Sequence, residues 1–230
     1  MEQYNYVSGK QAYKTQFMAG VFAWMAGALA LTAVVAYSIV HIPQLLLVVV
    51  CNKALVGFCW FVQVVIAISF SGFLHRMSFT CAAALYTLYS MMMGVSFTYV
   101  LLLYTGSSVA SIFLISASMF LALSLYGFYT KRDLSVFYTI GFMLLVGLLV
   151  GGLVNYIIGS SHVDFMLSII GVGTFSLLTA VDMQSIKRLS ESMDDNGQDY
   201  AKMTILGALI LYLDFINLYL YLLRLLGRRR

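Results

Sequence analysis

The chain has 230 residues, 62% of them hydrophobic and only 10% charged, with a single proline, Pro43. A soluble globular domain carries about 25% charged residues, so the composition excludes an ordinary water-soluble fold, and the length leaves room for one domain. The net charge of +4 argues against a nucleic-acid partner, because the basic residues stand at connectors between apolar runs; the partner implied is the lipid bilayer.

In chain order, residues 1–16 read as a short polar N-terminal segment holding Lys10 and Lys14. The apolar run that follows, from Phe17 to about Val40, outlasts the 7–15-residue core of a signal peptide and reads as an uncleaved first membrane helix. About 20 apolar residues cross a bilayer as a helix. Seven such segments are predicted: 17–40, 54–74, 79–104, 107–130, 134–158, 163–183 and 203–226. The expected fold is an all-α polytopic membrane bundle over residues 17–227, with 228–230 as a basic tail. Connectors fall at Asn52-Lys53, His75-Arg76, Thr105-Gly106, Lys131-Arg132-Asp133 and Gly159 to His162. Residues 184–202 are expected to form the one distinctly polar loop. Within it Asp194-Asp195-Asn196-Gly197 reads as a turn, since it lacks the twelve-residue calcium-binding frame with a closing glutamate.

Cytoplasmic connectors are enriched in lysine and arginine. With the N-terminus inside, Lys10, Lys14, Arg76, Lys131, Arg132, Lys187, Arg188 and Lys202 all lie inside, and the first outer connector keeps only Lys53. A full crossing by residues 203–226 places Arg228, Arg229 and Arg230 outside, whereas a segment that dips and returns keeps them inside. Both paths are open to the sequence. Small residues Ala19, Ala23 and Gly27, and the pair Gly147 and Gly151, have the spacing of close helix–helix approach.

Ionisable groups inside the spans are few. Asp214 sits near the middle of LYLDFINLYLY, where a carboxylate costs roughly 2.5–3.5 kcal/mol on insertion scales and marks a functional site by default. Residues three, seven and ten positions on share roughly its face, so Asn217, Tyr221 and Arg224 extend a polar stripe along the last helix. Asp214 and Arg224 are about 15 Å apart along the axis and do not pair directly. Asp182, in LLTAVDMQSIKRL, lies at the inner end of the sixth segment. Spacing alone leaves it either wetted at the interface or turned toward Asp214. Two carboxylates in one low-dielectric site cannot both ionise cheaply and titrate as a unit. Such a pair would suit a proton-controlled latch or contact with a hard cation such as Ca²⁺. Arg76 and His75, at the end of the second segment, are candidate partners as well as ordinary topogenic charges.

Other signals are bland. Cys51, Cys59 and Cys81 are scattered without CxxC spacing. Met91-Met92-Met93 points around a helix rather than along one face, and His41, His75 and His162 fall in separate connectors. No G-x-S-x-G, HExxH or P-loop pattern occurs, no cofactor is implied, and the chain does not read as an enzyme.

Three stretches together, SLYGFYTKRDLS (124–135), LTAVDMQSIKRL (178–189) and ILGALILYLDFINLYLYLLRLLG (205–227), resemble the Bax inhibitor-1 family. The likeness covers roughly residues 15–227 and is greatest to the bacterial inner-membrane members. It implies a bundle of about seven segments with the last near the centre, an inner-membrane location, and a pH-sensitive calcium leak. It also implies a sensor of two aspartates on the last two helices, at the positions of Asp182 and Asp214, latched by a basic residue on the second helix. Arg76 and His75 both qualify. Gln63 is the one polar core candidate of that second helix. Two other functions fit the same residues: an interaction protein that restrains membrane proteases or other membrane proteins, and a cation/proton exchanger.

Overall fold

The computed structural model describes residues 2–192 and 197–230, with side chains from Lys14 onward except at positions 53, 71, 75 and 192–199. The described residues form eight α-helices and no strand: α1 Glu2–His41, α2 Pro43–Cys51, α3 Lys53–Phe73, α4 Phe79–Leu103, α5 Gly106–Tyr129, α6 Ser135–Ile158, α7 Ser161–Ser192 and α8 Gly197–Leu226. Six are long and apolar enough to cross a membrane, and seven spans result if α2 and the body of α3, bent by 81°, count as one. The exposed surface is largely hydrocarbon. Along α6 alone, Val136, Tyr138, Phe142, Met143, Leu149, Leu153 and Ile157 are all more than half exposed. In water such a face would be untenable, and the molecule is an integral membrane protein.

Helix ends follow local chemistry. Pro43 opens α2, where its missing N–H costs nothing, and the Asn52 side chain accepts from the Leu55 N–H at 3.0 Å to start α3. Ser78 caps α4 by accepting from the Cys81 N–H at 3.2 Å. Gly159 stops α6 in the left-handed region, at φ 69°, a conformation glycine adopts without strain.

The helices group into two compact units. One comprises residues 1–104, 190–209 and 230. There α4 packs on α1, with Gly94 pressed against Val35, and the Thr32 hydroxyl donates to the Ser90 carbonyl at 3.1 Å. Phe17 meets Tyr200 edge-on at 5.4 Å. The other comprises residues 105–189 and 210–229. Its α5 lies on α8 through Phe113 and Phe120, whose rings contact Phe215 at 5.4 and 5.5 Å. It lies on α7 through Gly127, which faces the Ala180 backbone. Of the six candidate spans, α8 is the most buried and α6 the least.

Several sequence expectations change. Residues 184–202 are not one loop, because α7 continues to Ser192 and α8 starts at Gly197. The extension has a cause: Gln184 and Arg188 bind groups of the α5–α6 connector and Lys187 binds the last turn of α5, which ties the added turns of α7 down. The expected turn at Asp194, Asp195 and Asn196 lies outside the described residues. At the other end, α1 runs back through the polar segment to Glu2. The connector between the first two predicted segments is itself largely helical, as α2. Ala19, Ala23 and Gly27 do not seat a neighbouring helix. All three are exposed, and a Cβ on Gly27 would meet nothing within 4 Å. Of the other pair, Gly151 touches Leu167 while Gly147 faces open space.

The path of the last segment is also resolved. α8 is one unbroken helix through residue 226, not a segment that dips and returns. After it the Arg228 N–H donates to Ser108 Oγ at 3.1 Å, and the Arg228 carbonyl accepts from the Thr105 N–H at 3.1 Å. Arg229 reaches Asp164 at 3.7 Å. The basic tail thus shares one end of its unit with the starts of α5 and α7, while Arg132, Asp133, Lys187 and Arg188 cluster at the other.

Candidate functional site

α8 carries its polar stripe into the second unit. Asp214 is 4% exposed, flanked along its helix by Leu211, Tyr212, Phe215 and Leu218, all buried. Asp182, on α7, is half-buried. The two carboxyl groups lie within hydrogen-bonding reach of one another. That contact joins α7 to α8 inside an apolar surround, and one oxygen, Asp214 Oδ2, is buried there with no N–H or hydroxyl donor. A buried carboxylate oxygen without a donor is unusual and leaves capacity for a proton, a cation or a further donor.

The rest of the stripe serves the fold. Asn217 donates to the Leu213 carbonyl of its own helix at 2.8 Å. Tyr221 stacks on Phe175 with centroids 5.8 Å apart and covers Gly171, leaving no room there for a Cβ. Arg224 is exposed and places its guanidinium 5.4 Å from the Tyr221 ring centre. Arg76 is exposed at the end of a 3₁₀ turn, Leu74–Arg76. The His75 side chain lies outside the described residues. Among the described residues no three histidine, cysteine, aspartate or glutamate side chains gather. Ca²⁺ takes about 6–8 oxygens, so a calcium ion passing the aspartates would draw most of its ligands from elsewhere.

Half a turn beyond Asp182, a polar clamp holds the C-terminal part of α7. Gln184, 5% exposed, accepts from the Leu134 N–H at 2.8 Å and donates to the Arg132 carbonyl at 2.8 Å. Arg188 donates to Asp133 at 2.7 Å and to Gln184 at 3.0 Å. Lys187 donates to the Phe128 carbonyl at 2.7 Å and sits over the Phe128 ring. The Ser135 backbone N–H, reinforced by the Arg188 guanidinium, holds the Asp133 carboxyl down at about 2. Sequence reading missed Gln184 as a functional position. The signal was present in QSIKR following KRD, but a glutamine among charges reads as a solvated face.

Hydroxyl groups add a second pattern. Ser90, Thr98, Ser116, Thr174, Thr179 and Thr204, all buried, each donate to the carbonyl four residues back in their own helix, at 2.7–3.3 Å. This self-satisfaction is how membrane helices carry hydroxyls into an apolar medium.

The site's segments match a known family. Residues 14–230 fit the model of the family described as Inhibitor of apoptosis-promoting Bax1. The chain belongs to that family. Inner membrane protein YbhL of Escherichia coli (strain K12) is 39% identical over 215 residues, 93% of this chain and 92% of the relative. An uncharacterized protein of Borreliella burgdorferi is 36% identical over 217 residues, 94% of each chain. A membrane protein of Streptococcus pyogenes serotype M1 is 32% identical over 214 residues, 93% of each. The Bax1-inhibitor match spans both units, so Asp182 and Asp214 belong to the family domain itself.

Proposed function

We propose that the chain is a pH-sensitive passive calcium leak of the bacterial inner membrane, gated by the buried Asp182–Asp214 pair. The observation that carries this reading is the meeting of two carboxyl groups from adjacent helices in an apolar interior, one oxygen without an N–H or hydroxyl donor. Carboxyls this close stay together while a proton lies between them, and they repel once both are ionised. Loss of the proton weakens the bridge between α7 and α8 and lets α8 shift, opening an acidic path for a hard cation. A protonation preference of one pKa unit between two states changes their ratio tenfold, about 1.4 kcal/mol, which modulates a leak without sealing it.

The inner-membrane location follows that of the relative, inner membrane protein YbhL. A cytoplasmic N-terminus is part of this reading, and the distribution of lysine and arginine among the connectors supports it. With that orientation eight lysines and arginines lie inside, against four outside. Labelling of a single introduced cysteine at position 131 from the outer face of intact cells would reverse it.

The decisive experiment is Ca²⁺ entry into dye-loaded liposomes from about pH 5 to 8, with Asp182→Asn and Asp214→Asn proteins alongside. Flux that titrates with pH in the parent, and loses that titration in both variants, is expected. Flux no greater than in empty liposomes, with folded protein, refutes the leak and leaves a role in restraining membrane proteases or other partners. Proton-coupled, stoichiometric counter-flow would instead identify a cation/proton exchanger.

A further inference from the structure

One buried hydroxyl breaks the self-satisfied pattern. Ser124, on α5, is 1% exposed, yet its Oγ has no hydrogen-bond partner and does not use the Phe120 carbonyl four residues back. Ser116, two turns earlier on the same buried stripe, bonds its own helix at 2.8 Å, so the local backbone does not forbid the usual arrangement.

The position of Ser124 is defined by its neighbours on that stripe. One turn before it, Phe120 packs on Phe215, adjacent in sequence to Asp214. Nearly one turn after it, Gly127 touches Ala180, two residues before Asp182. Ser124 therefore faces the seam of α7 and α8 between the two contacts that seat α5 on each aspartate-bearing helix. Within this unit the buried side-chain atoms lacking a partner, among the described residues, are Ser124 Oγ and Asp214 Oδ2. One is a donor by nature and the other an acceptor.

We propose that Ser124 is a positioning residue of the acid site: its hydroxyl takes up Asp214 as a hydrogen-bond partner when the Asp182–Asp214 bridge opens. The two groups are unbonded while the aspartates hold each other. Once Asp182 withdraws, the Asp214 carboxylate is left in an apolar seam, where an unsatisfied charge is costly. A neutral donor on a third helix then holds it in one place and adds an oxygen to the set that a passing cation meets. This role rests on the aspartate-latch reading, which it deepens.

Infrared difference spectra of the purified protein test it without any transport assay. In Asp182→Ala protein the bridge is absent at every pH. There a further Ser124→Ala change should move the Asp214 carboxylate band, assigned by its loss in Asp214→Asn protein. Ser124→Thr, which keeps the hydroxyl, should restore the band, and Ser116→Ala should leave it in place. Asp182→Asn serves as the background if the alanine variant does not fold. An Asp214 band indifferent to Ser124 in these backgrounds overturns the proposal. In otherwise unaltered protein, carboxyl bands that do not change between about pH 5 and 9 refute the latch instead, while the Asp182→Ala comparison still decides the role of Ser124.

Discussion

Replacing Gly127 by alanine tests the contact that seats α5 on α7. A Cβ at this position would fall within the envelope of the Ala180 carbonyl oxygen, 3.0 Å from its carbon and 3.1 Å from its Cα. These are backbone atoms of a helix and have no rotamer by which to yield. Comfortable carbon–carbon separation is about 3.5–4.0 Å, so the two helices must part by roughly 0.5–1 Å along this line. Overpacking of this kind costs about 1–3 kcal/mol, a loss of about 5- to 150-fold in the folding equilibrium. Because Ala180 precedes Asp182 by two residues, the displacement is delivered beside the acid pair. The assay is reversible unfolding of purified protein in mixed detergent micelles, with Gly147→Ala as reference. Gly147 faces open space, and alanine there gains about 0.5–1 kcal/mol of helix propensity. Equal stability of Gly127→Ala and Gly147→Ala proteins would refute the packing described.

The clamp on the C-terminal part of α7 supports two further expectations. Gln184→Ala strands the Leu134 N–H, on a buried residue, at about 1–3 kcal/mol; the same unfolding assay should place it well below Gln184→Glu, which keeps the acceptor. Asp133 has a folded-state pKa below its ordinary value, so its contribution is present above about pH 4 and fades as pH falls toward 2. Carboxyl NMR of the folded protein should show Asp133 titrating near 2, and Arg188→Gln should move that midpoint up toward the usual carboxylate range. A midpoint unchanged by Arg188→Gln would assign the whole effect to the Ser135 N–H.

The spans were legible because a bilayer imposes its thickness on any helix that crosses it, and runs such as 107–130 and 134–158 reappear nearly intact as α5 and α6. What escaped were features made by meetings between helices. α2 was hidden by the proline and asparagine at its ends, residues that start and stop helices as readily as they make loops. The polar stretch after Asp182 looked like solvent-facing chain, yet Gln184 and Arg188 turn to backbone and side-chain groups of the preceding connector and prolong α7. Asp214 stood out through the energetics of a buried charge, whereas Asp182 needed the family resemblance to bring it inward. Gly127 and Ser124 gave no signal of their own, since glycine and serine are ordinary in membrane helices and only a neighbour's position makes either one particular.

The habit of hydroxyls bonding back to their own helix bears on how the chain enters the membrane. A span whose polar groups are already satisfied can leave the translocation machinery alone and wait in lipid for its neighbours. α4, with Ser90 and Thr98 closed on themselves, is such a span. α8 is not, because Asp214 finds its companion on α7. Since α7 is synthesised immediately before α8, the companion is at hand when the costly residue arrives, and the two helices are suited to insert as a hairpin. The order of the genetic message thereby shortens the time that a lone carboxyl group spends facing hydrocarbon.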